Sequence, residues 1–180
     1  MTTIAPRTSS ARSALLIDLD SCVGCHACSV ACKSGSTTAP FGDEVWPNQV
    51  FSYELDNGAA GRTLHVPRMC QHCETPDCVS VCPTGASYRR AADGVVLVDE
   101  SLCVGCRLCA WACPYGARKY DEQAGVIRKC TLCCERREAN GGGLPACVSA
   151  CPTGARHFGD LADPDSAVSV LVRSRGGFAL

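Results

Sequence analysis

The chain has 180 residues, with 17 basic and 18 acidic side chains and a formal charge of −1. That leaves room for one domain or two small ones. No apolar run approaches the roughly 18 residues that cross a bilayer, so no direct membrane span is expected. The hydrophobic share is 46%, but 17 cysteines swell it, and only four Phe, two Trp and four Tyr remain for a core. Apolar burial alone would hold such small units poorly, so bound metal must supply part of the folding energy.

Along the chain, Met1 to Ile17 lacks acidic residues and is rich in Ser, Thr and Ala, with no secretory signal or twin arginine. Leu15-Leu16-Ile17 reads as a strand leading into a first cysteine group, and Cys28 to Cys32 as a short helix. Ser34 to Arg62 contains no cysteine and carries Pro40, Pro47, Gly35, Gly42, Asn57 and Gly58. It reads as an inserted loop with a strand near Val50 to Leu55. Leu64-His65-Val66 precedes a second cysteine group, and Ser87-Tyr88-Arg89 follows it. Ala92-Asp93-Gly94 is a turn signal before the strand Val95 to Val98. A third group follows, with a short helix over Cys109 to Cys113, then the strand Arg118-Lys119-Tyr120, a turn at Gly125 and the strand Val126-Ile127-Arg128. The fourth group contains Glu138 to Gly143, expected to be a flexible bulge. After it come the strand Arg156-His157-Phe158, a polar linker from Asp160, a helix from Ser166 to about Arg173 and a tail.

Sixteen of the 17 cysteines fall into four groups of four: Cys22, Cys25, Cys28, Cys32; Cys70, Cys73, Cys78, Cys82; Cys103, Cys106, Cys109, Cys113; and Cys130, Cys133, Cys147, Cys151. The first and third follow the C-x2-C-x2-C-x3-C spacing of bacterial ferredoxins. The corner Cys82-Pro83-Thr84-Gly85-Ala86 recurs as Cys113-Pro114-Tyr115-Gly116-Ala117 and Cys151-Pro152-Thr153-Gly154-Ala155, so the chain is an internal repeat. The pattern implies four [4Fe–4S] clusters and a chain that handles electrons. A cubane presents four irons, each wanting one thiolate. The tight C-x2-C loop offers three sulfurs to one cube, and the fourth cysteine leads away, which in two-cluster ferredoxins takes it to the other cluster. The following proline fixes φ and directs the chain outward.

Other readings of the cysteines explain less. Structural zinc needs two C-x-x-C pairs and leaves the triplet unexplained. Disulfide frameworks seldom repeat C-x-x-C before proline. A three-iron or two-iron centre at one site stays open, although no cysteine is missing. Cys134 is left over, and the spacing from Cys130 favours Cys133 as ligand, with Cys134 a packed thiol. His26, His72 and His157 read as donors beside the clusters or as solvated residues. Lys33, Arg68, Arg107, Arg128, Lys129 and Arg136 either put cations near the cysteines, where they would raise reduction potentials, or form a solvated surface. Trp111 is expected to pack over a cluster. Four cubanes with their thiolates would shift the net charge by roughly −8, so an acidic protein results and no nucleic-acid partner is implied. No residue reads as a catalytic base or nucleophile.

The motifs Cys22-Val23-Gly24-Cys25-His26-Ala27-Cys28, Cys70-Gln71-His72-Cys73, Trp111-Ala112-Cys113-Pro114-Tyr115-Gly116-Ala117 and Lys129-Cys130-Thr131-Leu132-Cys133 carry a family resemblance. Over residues 14 to 173 the chain resembles the four-cluster electron-transfer (beta) subunits of molybdopterin oxidoreductases. These serve dimethyl sulfoxide, polysulfide, thiosulfate and tetrathionate reductases and sulfite dehydrogenase. Ser87-Tyr88-Arg89-Arg90 and Ala155 to Asp160 lean toward the last branch. The resemblance implies an α+β fold of two interleaved bacterial-ferredoxin-like modules with short strands, short helices and long loops. Residues 14–33 with 122–160 form a discontinuous module A, 34–63 an insertion, 64–121 module B, and 161–180 the C-terminal linker, helix and tail. It also implies the ligand sets. Cluster 1 takes Cys22, Cys25, Cys28 and Cys151, and cluster 2 takes Cys130, Cys133, Cys147 and Cys32. Cluster 3 takes Cys70, Cys73, Cys78 and Cys113, and cluster 4 takes Cys103, Cys106, Cys109 and Cys82. The implied role is a non-catalytic wire between a molybdopterin catalytic subunit and an integral membrane, quinone-reactive anchor subunit. Its place is cytoplasmic or peripheral on the inner membrane, with export beside a signal-bearing partner left open. A free-standing soluble polyferredoxin is the alternative.

Overall fold

A computed structural model describes residues 11–35, 40–56 and 61–177. Asn57, Gly58, most of Met1 to Ile17 and the last residues of the tail lie outside them. The described chain is α+β, built from short strands joined in pairs and from helices of at most nine residues. The strands are β1 (Ser13–Ile17), β2 (Gln49–Leu55), β3 (Arg62–Arg68), β4 (Ser87–Arg89), β5 (Val96–Val98), β6 (Lys119–Asp121), β7 (Val126–Arg128) and β8 (Arg156–Asp160). The helices are α1 (Ala27–Ser34), α2 (Asp77–Ser80), α3 (Leu108–Trp111), α4 (Cys134–Ala139), α5 (Ala146–Ser149) and α6 (Ala167–Arg175).

The pairing follows the repeat. β4 pairs with β5 and β6 with β7 as antiparallel hairpins, each starting just after a Cys-Pro corner. β1 pairs with β8, with Ser13 opposite Asp160 and Ile17 opposite Arg156. A segment before the first cysteine group is thus bonded to one after the fourth, 148 residues apart at the Arg12 N–H to Asp160 carboxylate bond of 2.7 Å. α1 lies against α5, and α2 against α3. The expected inserted strand is present, but it forms a full hairpin: β2 pairs with β3 along seven residues, Gln49↔Arg68 to Leu55↔Arg62. Pro67 is tolerated in β3 because a two-stranded ladder leaves an open edge.

Two expectations shift locally. The strand expected at Arg118–Tyr120 runs Lys119–Asp121 instead, because the Arg118 side chain turns into the interior. The bulge expected at Glu138 to Gly143 begins as the end of α4, whose Glu-Arg-Arg-Glu-Ala run favours helix. Gly141, Gly142 and Gly143 then turn the chain at φ of 66°, 122° and 105°, where side-chain-bearing residues would be strained. α6 begins where the Ser166 hydroxyl accepts from the Ser169 N–H and ends at left-handed Gly176, a regular pair of caps.

The apolar core is small. One patch joins Met69, Val95, Leu97, Leu132 and the thiols of Cys130 and Cys134; another joins Val50 with Cys28 and Cys147. Cysteines expected to bind metal supply part of both patches, which ties packing to the metal sites.

Beside these patches, Asp121 is buried and accepts from the N–H groups of Gly42, Gln123 and Ala124 at 3.1–3.2 Å. Arg128 Nε lies 2.9 Å from its carboxylate but off the line of a hydrogen bond, so charge holds the pair. Burial works to raise the Asp121 pKa, but these N–H groups and Arg128 outweigh it and hold it below 3.8. Asp121 therefore stabilises the fold above the ordinary carboxylate pKa, and that stability fades as pH falls through its depressed value. Asp121→Ala should cost about 3 kcal/mol, as for breaking a buried pair. The check is the anaerobic denaturant midpoint, and Asp121→Asn should also flatten its loss toward acid.

Candidate iron–sulfur centres

Local geometry brings three cysteines of each group together before any metal is considered. Gly24 and Gly105 occupy the turn of the two Cys-Val-Gly-Cys loops at φ of 67° and 66°. A Cβ there would stand 2.5 Å from the His65 ring or from the Gly125 carbonyl oxygen, so only glycine fits. His26 and Arg107 follow in the left-handed region at φ of 61° and 64°, and cap α1 and α3. That strain lifts Cys28 and Cys109 into the first helical turn, where both are buried.

The structure brings thiols of different groups to common cavities. Cys22, Cys25, Cys28 and Cys151 line one cavity, with Arg156 in its wall. Cys32, Cys130, Cys133 and Cys147 line another, beside Lys129. Cys70, Cys78 and Cys113 are the thiols acting on Cys73, and Cys103 and Cys78 are those acting on Cys109. Cys106 is exposed, and Cys82 is held at its own corner by the Ser87 N–H at 3.4 Å and Thr84 Oγ1 at 3.7 Å. All seventeen cysteines are free thiols. Among the described residues, no three His, Cys, Asp or Glu side chains converge on a single metal ion. Ligands of a cubane need not do so, because each thiolate takes its own iron.

The thiols divide by environment. Burial pushes Cys32 up to about 12, helped by the neighbouring Cys147 and Cys133 thiolates. Burial likewise raises Cys130 well above its ordinary value, and raises Cys147, Cys109 and Cys73. At the Cys-Pro-Thr corners burial also acts to raise Cys82 and Cys151, but hydrogen bonds win and both are lowered. The donors are chiefly the Ser87 N–H at Cys82 and the Thr153 hydroxyl, 3.7 Å away, at Cys151. Iron binding removes the proton in either case.

The donor set fits [4Fe–4S] clusters. Among the described residues, six buried side-chain atoms have no hydrogen-bond partner, and three of them are donors beside the thiols: His72 Nε2 and Arg118 Nε and Nη1. Burial and the charges of Lys129 and Arg118 hold His72 neutral, well below pH 6.5, and its Nδ1 accepts from the Val96 N–H at 3.0 Å. Its remaining N–H and those of Arg118 lie among cysteines, where cluster sulfide would accept them. His26 is exposed.

The cations differ in what holds them. Arg107 stacks on Tyr120, 3.7 Å from its ring centre, and Lys33 on Trp46 at 4.4 Å. Arg128 is committed to Asp121 and Glu100. Lys129 is buried, as are Arg118 and Arg156, which sequence reasoning missed. The signal was present: each directly follows a Cys-Pro-x-Gly-Ala corner, and the repeat could have singled both out. Trp111 does not pack over a cluster site. It is 88% exposed.

The sequence matches the 4Fe-4S dicluster domain family twice, over residues 62–161 and 21–86. It is 48% identical to the B subunit of sulfite dehydrogenase from Allochromatium vinosum, across 93% of this protein and 76% of that one. It is 41% identical to the B subunit of tetrathionate reductase from Salmonella typhimurium, across 89% of this protein and 63% of that one. The B subunit of polysulfide reductase from Wolinella succinogenes is 41% identical, across 89% of this protein and 83% of its own length. The protein belongs to this family of 4Fe–4S dicluster electron-transfer subunits. Two dicluster domains account for four [4Fe–4S] clusters, and they serve electron transfer, not catalysis.

Cys134 is 1% exposed in the core beside Met69 and Leu97, apart from the cavity that Cys133 lines. Cys134→Ser should leave the iron content unchanged, whereas Cys133→Ser should lose or convert one cluster. Iron analysis of the two variants separates them, and the reverse result would make Cys134 the ligand.

Proposed function

We propose that this protein carries electrons between a molybdopterin catalytic subunit and an integral membrane, quinone-reactive subunit. The complex is of the sulfite dehydrogenase or sulfur-compound reductase type, and the protein sits at the inner-membrane surface. What supports the catalytic assignment is the kinship with named electron-transfer subunits, of which the sulfite dehydrogenase relative is 48% identical. Among the described residues no helix is long and apolar enough to cross a membrane.

In the proposed arrangement the four sets are those of the family resemblance: Cys22, Cys25, Cys28 with Cys151; Cys130, Cys133, Cys147 with Cys32; Cys70, Cys73, Cys78 with Cys113; and Cys103, Cys106, Cys109 with Cys82. The observation that carries it is the cavity where Cys32, from the first group, faces Cys130, Cys133 and Cys147 of the fourth. The β1–β8 ladder favours the same interleaving, with residues 14–33 and 122–160 as one module and 64–121 as the other. The match over 21–86 spans the first two groups and favours sequential modules instead; the cysteine variants below decide between the two.

Each cluster, when bound, takes up and passes on one electron. The protein fixes the order in which clusters neighbour one another, excludes water from their buried thiolates and sets their charge environment.

Anaerobic holo-protein should contain about sixteen irons and sixteen acid-labile sulfides, four of each per cubane. A count near half of that would contradict four clusters. Cys32→Ser should perturb the paramagnetic resonance signal that Cys147→Ser perturbs and spare the one sensitive to Cys22→Ser. A common signal lost in Cys32→Ser and Cys22→Ser would favour the sequential modules. Molybdenum co-purifying with the native complex tests the catalytic partner, and its absence from an intact complex would refute that partner.

A further inference from the structure

We infer that three buried cations, Arg156, Lys129 and Arg118, stand one at each junction between successive cluster sites and make both neighbouring clusters easier to reduce. This rests on the ligand sets proposed above.

Each placement has its own geometry. Arg156 forms a wall of the cavity of Cys22, Cys25, Cys28 and Cys151. Its charge also acts on the Cys147 and Cys32 thiols, against the effect of burial, and both of these line the second cavity. Its guanidinium is fixed from behind by Asn48 Oδ1 at 3.0 Å and Met69 Sδ at 3.7 Å. Arg118 donates through Nη2 to Cys78 Sγ at 2.9 Å and to Ser87 Oγ at 2.7 Å. Its charge also acts on Cys109, a thiol of the next set, against the effect of burial. Lys129 lines the second cavity, and its Nζ donates to the carbonyl oxygens of Cys130, at 2.7 Å, and of Val96. Val96 in turn donates to His72, between Cys70 and Cys73. Burial lowers the Lys129 pKa, and the neighbouring thiolates of Cys70, Cys130 and Cys78 work against it to hold the charge. The three cations thus separate sets one and two, two and three, and three and four.

Their burial demands a counter-charge. Arg118, Lys129 and Arg156 are 4%, 3% and 3% exposed. Among the described residues none is ion-paired with a carboxylate, whereas Arg128 takes Asp121 and Glu100. A buried charge without compensation is strongly unfavourable, so the thiolates and clusters are the natural counter-ions. An electron arriving on a cluster adds negative charge, which a fixed cation in a low-dielectric interior stabilises. A cation midway between two clusters stabilises the electron at both ends of a hop, so it raises both potentials while leaving their difference small. The guanidinium groups keep this charge at every accessible pH.

The test is a potentiometric titration followed by paramagnetic resonance, with iron analysis, on Arg118→Met, Lys129→Met and Arg156→Met. Arg118→Lys, Arg156→Lys and Lys129→Arg serve as charge-preserving controls. Each Met variant should make two signals at least tenfold harder to reduce, about 59 mV per one-electron couple, and leave the other two in place. The controls should restore most of the shift. For Arg118 the two signals should be those that Cys78→Ser and Cys109→Ser remove. No shift at full iron content, or a shift in one signal only, overturns the junction role and leaves the ligand sets standing. A shift in two signals that those cysteine variants do not remove overturns the ligand sets as well. If a Met variant loses iron, its control decides: retained iron and unshifted potentials support the inference, and iron loss in both overturns it.

Discussion

Iron–thiolate bonding is the constraint on which this protein depends. Three sulfurs of a group can turn onto one cube because left-handed residues bend the loop between them: Gly24 with His26, Gly105 with Arg107, and His72 and Leu132 where the second and fourth groups have no glycine. The fourth is carried off by a helix and a corner, and a cube missing its fourth thiolate must find one elsewhere. In the proposed arrangement every cube borrows that thiolate from a distant group, so ligation links segments that the strands alone join weakly. The β1–β8 ladder of five residue pairs and the few aliphatic side chains of the two core patches would be slight support without it. Folding free energy and cofactor binding are then largely one quantity.

The same dense array of negative sulfur needs positive charge inside. Surface cations cannot serve well, since water screens them and several are engaged with aromatic rings or carboxylates. The buried Arg118, Lys129 and Arg156 lie among the thiols, with no carboxylate partner among the described residues. Hydrogen bonds from backbone N–H groups and threonine hydroxyls at the Cys-Pro-Thr corners add to this at Cys82 and Cys151. Two of the three cations, Arg118 and Arg156, stand directly after a Cys-Pro-x-Gly-Ala corner, whereas Ser87 follows the first corner and Lys129 precedes Cys130.

The cysteine groups, the flanking strands and the terminal helix were legible because their spacing and β-prone runs are local. Val126–Arg128 and Ser87–Arg89 fall as strands where the sequence puts them. What was not legible depends on side-chain direction. Arg118 looked like the first residue of a strand, yet its side chain goes inward and the strand starts one residue later. Trp111 looked like a cluster cover, yet α3 turns it outward, because Cys109, two residues before it, takes the buried face. The β2–β3 hairpin is half legible: the runs near Val50 to Leu55 and Leu64 to Val66 both stand out as strands, but their pairing with one another does not.

The most direct test of the account is an anomalous difference map at the iron edge from crystals of the anaerobic holo-protein. The account predicts four separate iron clusters, with Cys32 Sγ bonded to the one held by Cys130, Cys133 and Cys147. Cys32 Sγ bonded to the cluster of Cys22, Cys25 and Cys28 would contradict it.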